Sequence, residues 1–321
     1  MEISVVVATF NGEKYLAEQL DSIDRQTRLP DEIVICDDRS DDNTVKIAEE
    51  FSKSSNVSVK IIQNQENIGY TKNFFRGLEF CQGDLVLLSD QDDIWFENKV
   101  DHLVEIAEAE PKTLMFVHDG EFITATGCRT GLTKIGQVRA GYGRIDGVLT
   151  GALTMVRREL LLFAIPVPDN IVGHDIWIES ICALFGDRKT VLEDCLQFIR
   201  RHESNNSDWV VNSSRKISSL DVIKSQITSQ PAKSYSNRLA LNRELLARSE
   251  LVFSSTLYEG DYASANATRK ILENERDALK KREKLLSENS LKRRLSALKM
   301  LASRQYIFFN GVKSFLRDML R

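Results

Sequence analysis

The first 95 residues alternate short apolar runs with amphipathic segments, and this alternation limits the possible folds more than any other feature. Apolar runs rich in β-branched residues, at 3–8, 32–36 and 57–62, predict three strands. Amphipathic stretches from about 13–26, 42–52 and 71–80 predict helices, and Ser40 and Asp41 are candidate caps of the second one. With a fourth apolar run at 85–88, the pattern indicates an α/β fold whose mostly parallel sheet has helices on both faces.

The fourth apolar run ends in an acidic cluster, in which Asp90, Asp92 and Asp93 lie within four residues. Hard cations such as Mg²⁺ and Mn²⁺ take oxygen ligands and usually share them with substrate phosphates. A solvated turn is the alternative, because Asp is common after strands. The cluster therefore predicts either a divalent cation site or a polar loop.

Other polar residues also follow predicted strands. Thr9 and Asn11 come after the first strand and Asp38 comes after the second. Ligands of open α/β sheets bind outside the carboxyl ends of the strands. These side chains are therefore expected at the same rim as Asp92.

An ordered set of short motifs runs along about the first two-thirds of the chain. It consists of the segments 5–12, 37–40, 67–74, 89–95 with Lys99, 149–152, 174–177 and 200–205. Because of these motifs and their order, the chain resembles an inverting family 2 glycosyltransferase, in particular the bacterial branch often described as rhamnosyltransferase-like. The resemblance implies the GT-A fold, a Rossmann-like sheet with flanking helices.

The resemblance implies a nucleotide-sugar site at the predicted rim, with contacts from Thr9, Asn11, Asp38 and Lys72. Asp38 would accept a hydrogen bond from the ring N3–H of a uracil or thymine, as a carboxylate does for an imide hydrogen. A cap of the following helix is the alternative role for this carboxylate. Whether Asp37 or Asp38 reads the base stays open.

For the acid cluster, the resemblance implies a Mg²⁺ or Mn²⁺ cofactor bound by Asp92. Asp90 would contact the donor sugar or ribose, and Asp93 would orient its neighbours. His202 would supply a second metal ligand, with a purely structural histidine as the alternative. Arg200 would contact phosphate oxygens, which suit a guanidinium group.

Inverting transfer also needs a general base that removes the acceptor's proton. The resemblance assigns this role to Asp175, although an Asp at a helix start can also act as a cap. His174 would tune the base or contact the acceptor. Trp95 and Trp177 would stack against sugar rings or belong to the core.

Charge divides the chain into two parts. Residues 1–207 carry 21 Lys and Arg against 35 Asp and Glu, whereas residues 208–321 carry 22 against 12. We expect a GT-A catalytic domain at 1–206 and a helical region at 207–321, with breaks at Pro231 and at 259–261. Five cysteines without pairwise spacing indicate reduced thiols and a cytoplasmic protein, and no apolar run has the roughly 20 residues that span a bilayer.

The last 30 residues combine eight Lys and Arg and one acid with many aromatic and aliphatic residues. Such a segment can lie on the inner face of the plasma membrane, attracted by anionic lipids. Alternatively, its apolar residues pack on other helices of the tail or form a homo-oligomer. Nucleic acid is a poor partner, because no reader motif accompanies the basic residues.

The expected donor is dTDP-β-L-rhamnose, on the basis of the family branch alone. The expected acceptor is a saccharide carried on polyprenyl diphosphate, in the synthesis of a bacterial surface polysaccharide. A UDP-hexose or UDP-N-acetylhexosamine transferase is the alternative within the fold. A non-catalytic protein that binds glycans or nucleotide sugars is the alternative from another class.

Overall fold

The computed structural model describes residues 1–141, 145, 148, 150–203, 212, 215–218, 221, 231–309 and 311–320. Leu149, Ser204 and Asn205 of the motifs, and the expected domain boundary at Asn206, lie outside them. The chain forms two compact units. The first unit comprises Met1–Val167, Gly173–Ala183 and Asp187–Thr228, and the second comprises Pro168–Val172, Leu184–Gly186 and Ser229–Arg321.

The first unit contains the strands and the shorter helices. Strands β1–β9 are Ile3–Thr9, Glu32–Asp37, Ser58–Gln63, Leu85–Ser89, Ile94–Trp95, Met115–Thr124, Arg129–Thr133, Thr154–Arg157 and Lys189–Arg201. Helices α1–α7 are Leu16–Asp24, Thr44–Ser54, Tyr70–Leu78, Lys99–Ala109, Lys134–Ala140, Arg158–Ala164 and His174–Leu184, and a 3₁₀ helix spans Gly151–Leu153. The four strands and three helices predicted before residue 90 are confirmed.

One sheet joins all nine strands, in the order β3-β2-β1-β4-β8-β6-β9-β5, with β7 paired to β6. Strands β3, β2, β1 and β4 are parallel. Beyond them, β8 is antiparallel to both β4 and β6, β9 is parallel to β6, and β5 is antiparallel to β9. This order places the carboxyl ends of the parallel strands β2, β1 and β4 side by side.

Strands β1, β2 and β4 are buried because helices cover both faces of this part of the sheet. Val5 and Val7 on β1 belong to one core cluster with Leu16 and Leu20 of α1. On the other face, α3 lies so close to β1 that a Cβ on Gly77 would meet the Val6 side chain at 2.6 Å. A glycine at this position lets the last turn of α3 approach β1 closely.

The predicted caps of α2 are wrong. The helix begins at Thr44, and Asp42 accepts a hydrogen bond from its backbone N–H at 2.9 Å. Ser40 instead donates its hydroxyl to Asp37, which closes the turn after β2. Ser40, which the sequence pattern had assigned to the cap, therefore forms hydrogen bonds within the turn and does not cap the helix.

The second unit is helical, as expected for the tail. Its helices α8–α11 are Pro231–Phe253, Tyr262–Ser287, Ser290–Ala302 and Gly311–Leu320, with a 3₁₀ helix at Gln305–Phe308. The predicted breaks are confirmed, since α8 begins at Pro231 and Asp261 caps α9. Tyr306 packs in a core cluster with Leu285 and Met300. Among the described residues, none of the helices has both the length and the hydropathy needed to cross a bilayer.

Candidate functional site

The loops that follow β1, β2 and β4 are joined by hydrogen bonds at one rim of the sheet. The backbone N–H of Asp38 donates to the carbonyl of Thr9 at 2.8 Å, and that of Asn11 donates to the Ser40 hydroxyl at 2.9 Å. The Gln91 side chain pairs with both backbone groups of Phe10, at 2.8 and 3.0 Å. The structure therefore brings Asn11 and Asp38, which are predicted to contact the nucleotide, next to the loop after β4 that carries Asp90, Asp92 and Asp93 (the acid loop).

Both aspartates of the β2 loop are buried and hold neighbouring segments. Asp38 accepts from the backbone N–H groups of Ile68 and Gly69, each at 2.8 Å, and from the Asn64 amide at 3.0 Å. Asp37 accepts from the Thr9 hydroxyl at 2.8 Å and from Ser40. Each carboxylate thus organises the rim, and which of them reads a base stays a prediction.

The remaining predicted nucleotide contacts differ in accessibility. Asn11 is exposed and has a left-handed backbone with φ of 48°, and its side-chain oxygen accepts from the N–H of Asp41 at 3.0 Å. Thr9 is buried beneath it. Lys72 lies half-buried in the first turn of α3, the helix that Gly77 holds against β1. These residues share the rim, and their contacts with a nucleotide stay predictions.

Asp90, Asp92 and Asp93 form one cluster, in which a ligand oxygen of each lies within 4.8 Å of the others. Burial of the carboxyl group, together with the charges of Asp92 and Asp175, raises the pKa of Asp90 to about 7. Burial, together with the charges of Asp92 and Asp90, raises the pKa of Asp93 well above its usual value. Three carboxylates in one small volume repel each other, and a cation would relieve that repulsion.

Asp93 differs from the other two because a buried chain of hydrogen bonds occupies it. Its carboxylate accepts from the Gln197 amide at 2.7 Å and from the backbone N–H of Arg200 at 3.0 Å. The oxygen of Gln197 accepts in turn from Lys99 at 2.5 Å. Lys99 is 1% exposed and lies 3.7 Å over the Trp95 ring, and burial holds its pKa well below the usual value. Asp93 is thereby fixed as an internal partner of the cluster.

His202 meets the cluster from the end of β9. Its Nε2 lies 2.6 Å from Oδ2 of Asp92, and both side chains are about nine-tenths buried. The imidazole packs on the Tyr15 ring, with centroids 4.9 Å apart. The two residues predicted as metal ligands are therefore neighbours.

Arg200 lies on the inner side of the acid loop. Its Nε donates to the backbone carbonyl of Asp92 at 3.0 Å, and its Nη2 donates to Glu18 at 2.6 Å. The guanidinium group also lies 4.8 Å over the Tyr15 ring. The side chain is 3% exposed and holds the loop to α1, and its predicted contact with phosphate stays untested.

Asp175 lies in the first turn of α7 and is partly exposed. One of its oxygens accepts from the backbone N–H of Ile176 at 2.9 Å, and its charge acts on Asp90. His174 is buried, stacked on Phe74 with centroids 3.9 Å apart, and burial lowers its pKa. Asp175 thus lies at the start of α7, and its charge contributes to the raised pKa of Asp90 in the acid cluster.

The two predicted stacking tryptophans belong to the core. Trp177 is fully buried and donates its indole N–H to the Ala164 carbonyl at 2.8 Å, and Trp95 is 3% exposed. Sequence reasoning missed Gln197, Gln91 and Glu18. For Gln197 a signal existed, because it is the one polar residue within the apolar run 196–199.

The residues present fit a hard divalent cation. Asp90 and Asp92 supply carboxylate oxygens, and His202 supplies a nitrogen 2.6 Å from Oδ2 of Asp92. Carboxylate oxygens with one imidazole suit Mn²⁺, and oxygen ligands that leave room for phosphate suit Mg²⁺. Asp92 and His202 would hold the metal, with the carboxylate of Asp90 beside them.

The sequence pattern of the family described as "Glycosyl transferase family 2" matches residues 4–161. Among curated relatives, the "dTDP-rhamnosyl transferase RfbG" of Shigella flexneri is 38% identical over 103 residues, which are 31% of this chain and 36% of that one. The chain spans 36%, 66% and 38% of the length of the first three curated relatives it matches.

Solved structures share the fold at low sequence identity. S. aureus TarS in complex with UDP has a TM-score of 0.58 at 16% identity, covering 99% of this chain and 89% of that one. The mannosyltransferase PcManGT of Pyrobaculum calidifontis, in complex with GDP-Man and Mn²⁺, has a TM-score of 0.51 at 16% identity, covering 84% and 79%. The predicted fold class is confirmed. The chain carries a glycosyltransferase family 2 domain with the GT-A fold.

Proposed function

We propose that this protein is an inverting, metal-dependent glycosyltransferase that transfers a sugar from a nucleoside diphosphate donor to a saccharide acceptor. The observation that carries the proposal is the acid cluster beside His202, at the rim of a family 2 domain. The proposed donor is dTDP-β-L-rhamnose, which is supported by similarity to a protein named as a dTDP-rhamnosyl transferase.

The acid cluster would serve the departing nucleoside diphosphate through the cation that it can hold. A divalent metal, when bound, supplies a positive charge that stabilises the diphosphate leaving group. Asp92 and His202 would hold the metal, with Asp90 oriented toward the donor's sugar or ribose. Asp93, fixed by Gln197 and the backbone of Arg200, keeps the loop in place.

Asp175 is proposed as the general base that takes the proton from the acceptor hydroxyl. It is partly exposed, so an acceptor can reach it, and its charge acts on Asp90, so it lies on the side of the donor site. The hydrogen bond from Ile176 holds one of its oxygens and leaves the other for the acceptor. Asn67–Gly69, anchored on Asp38, would border the base of the nucleotide.

A UDP-sugar donor is the second candidate, favoured by the likeness to TarS, of which one structure is in complex with UDP-GlcNAc. That likeness is 20% in sequence identity and supports the fold alone. A thymine and a uracil ring present the same imide hydrogen, so a carboxylate of the β2 loop can recognise either. The sugar pocket decides between the two donors.

We further propose that the acceptor is a glycan on polyprenyl diphosphate, in the synthesis of a bacterial surface polysaccharide. A lipid-linked acceptor would make a membrane with anionic lipids a natural partner of the protein. Both parts of this proposal follow from the family branch.

The proposal is tested by incubating the full-length protein with thymidine and uridine diphosphate sugars and Mn²⁺ or Mg²⁺. Slow donor hydrolysis, seen as metal-dependent release of nucleoside diphosphate, is expected without acceptor and faster release with it. Formation of pyrophosphate would indicate a nucleotidyltransferase. Saturable donor binding without release, in the presence of the natural acceptor, would indicate a binding protein.

A further inference from the structure

Helix α10 carries leucines on the side that faces solvent. Leu291, Leu295 and Leu298 are exposed, and their spacing of four and three residues places them on one face of the helix. Ala297 and Met300 are buried in the core cluster of the second unit. The exposed leucines therefore form a stripe that the fold of this unit does not use.

Helix α11 repeats the arrangement. Val312, Leu316 and Leu320 are exposed and spaced by four residues, whereas Ser314 and Asp318 on the other side are buried. The two helices are linked by a hydrogen bond from Arg294 to the Met319 carbonyl at 3.2 Å. Neighbouring helices thus each turn an apolar stripe toward solvent.

The charges that accompany these stripes are positive. The exposed basic residues of the segment are Lys292, Arg294, Lys299, Arg304 and Lys313. Its single acid, Asp318, is 1% exposed and accepts from Arg282 at 3.2 Å and from Tyr306 at 2.9 Å. The acid is neutralised inside the unit, so every exposed charge among residues 292–320 that the structure describes is positive.

We propose that this outward face, formed by the two apolar stripes and their flanking Lys and Arg residues, binds the surface of a membrane that contains anionic lipids. The aliphatic side chains would enter the boundary between headgroups and acyl chains, and the cations would meet lipid phosphates. A second copy of the chain is a poorer occupant. A twofold contact between two such faces would bring like charges together.

This inference depends on the proposed lipid-linked acceptor only for the biological role of membrane binding. It adds the residues through which the membrane is bound. Three aromatic residues near the end of the chain face inward and do not serve this contact: Tyr306 is buried, and Phe309 and Phe315 pack against the core cluster. Deleting the segment would strip Arg282 of Asp318 and uncover that core, so point variants of exposed residues are the appropriate test.

The test is sedimentation of the full-length protein with phosphatidylcholine vesicles, with and without phosphatidylglycerol, in the absence of donor and acceptor. Wild type is expected to bind the anionic vesicles alone, and less so as salt rises. Two double variants are compared with wild type: Leu295→Gln with Leu316→Gln, and Lys292→Glu with Lys299→Glu. Each should weaken partitioning into anionic vesicles by about tenfold or more, since a single apolar or basic contact with the membrane changes the partition coefficient several-fold.

Matched controls separate this face from general stickiness. Leu251→Gln removes a leucine of 51% exposure on α8, equal to that of Leu316, and should leave binding unchanged. Lys270→Glu with Lys281→Glu makes the same charge change on α9 and should have a smaller effect. Circular dichroism and nucleotide binding, measured on every variant, report folding and the integrity of the donor site.

Equal loss in the controls, equal binding to neutral vesicles, or absence of vesicle binding would overturn the inference. So would a dimer, detected by light scattering, that the Leu295→Gln and Leu316→Gln changes dissociate while vesicle binding persists. None of these outcomes bears on nucleoside diphosphate release, so the transferase proposal is judged separately.

Discussion

Gln197 joins the buried side chains of Asp93 and Lys99, and its replacement by leucine measures what this link contributes to stability. The amide nitrogen donates to Asp93 at 2.7 Å, and the amide oxygen accepts from Lys99 at 2.5 Å. The side chain has no exposed surface. Leucine has a similar size and no polar atoms, so Gln197→Leu removes both hydrogen bonds without opening a large cavity.

The expected cost follows from the groups that remain. A buried polar group left without its partner costs about 1–3 kcal/mol, and two groups are affected here. Each retains one other contact, because Arg200 still donates its backbone N–H to Asp93 and the Ala152 carbonyl still lies 3.4 Å from Lys99. We therefore expect the free energy of unfolding to fall by about 2–3 kcal/mol, toward the lower end of the sum.

Urea unfolding followed by tryptophan fluorescence is the assay, because Trp95 and Trp177 are buried in the first unit. Lys99→Met in the Gln197→Leu background should cost about 1–2 kcal/mol less than in wild type, because the hydrogen bond it removes is already absent. Costs that add within about 0.5 kcal/mol would refute the argument, since residues that share a hydrogen bond must be coupled.

Three further predictions concern the rim. Asp92→Asn should nearly abolish transfer and weaken metal-dependent binding of nucleoside diphosphate, measured by calorimetry with Mn²⁺; wild-type activity in excess chelator, after verified metal removal, would contradict it. Asp175→Asn keeps the oxygen that accepts from Ile176, so it should preserve stability and donor affinity while lowering turnover by about 10²–10⁴-fold; unchanged turnover would place the base elsewhere. Asp38→Asn replaces one of the two oxygens that accept from the N–H groups of Ile68 and Gly69 by an NH₂ donor, so the free energy of unfolding should fall by about 1–3 kcal/mol. An unchanged urea midpoint would contradict this prediction.

The sequence by itself determined the parallel half of the sheet and the acid loop. Strand and helix periods, and the glycine and polar residues at the turns, are local signals, and they sufficed for β1–β4 and α1–α3. Because parallel strands end at one rim, the adjacency of Thr9, Asn11 and Asp38 also followed from the pattern. The breaks at Pro231 and before Asp261 were equally local.

Only the tertiary structure decided which groups close the site. Asp93 is held by Gln197, and Asp92 lies against His202, at separations of 104 and 110 residues. These contacts exist because β9 pairs with β5 and β6, and no periodicity within a segment specifies such pairing over long separations. The prediction that Ser40 and Asp41 cap α2 was wrong for the same kind of reason, because Ser40 donates hydrogen bonds to Asp37 instead.

The tail illustrates the same limit. Its composition predicted helices with apolar and basic residues, and it left membrane contact and internal packing as alternatives. The structure divides the residues between the two: Tyr306 packs in the core with Asp318 as its partner, while Leu291, Leu295 and Leu298 remain exposed. An apolar residue has the same sequence signature whether it faces a core or solvent, because burial depends on which helices pack together, and that is fixed by the whole fold.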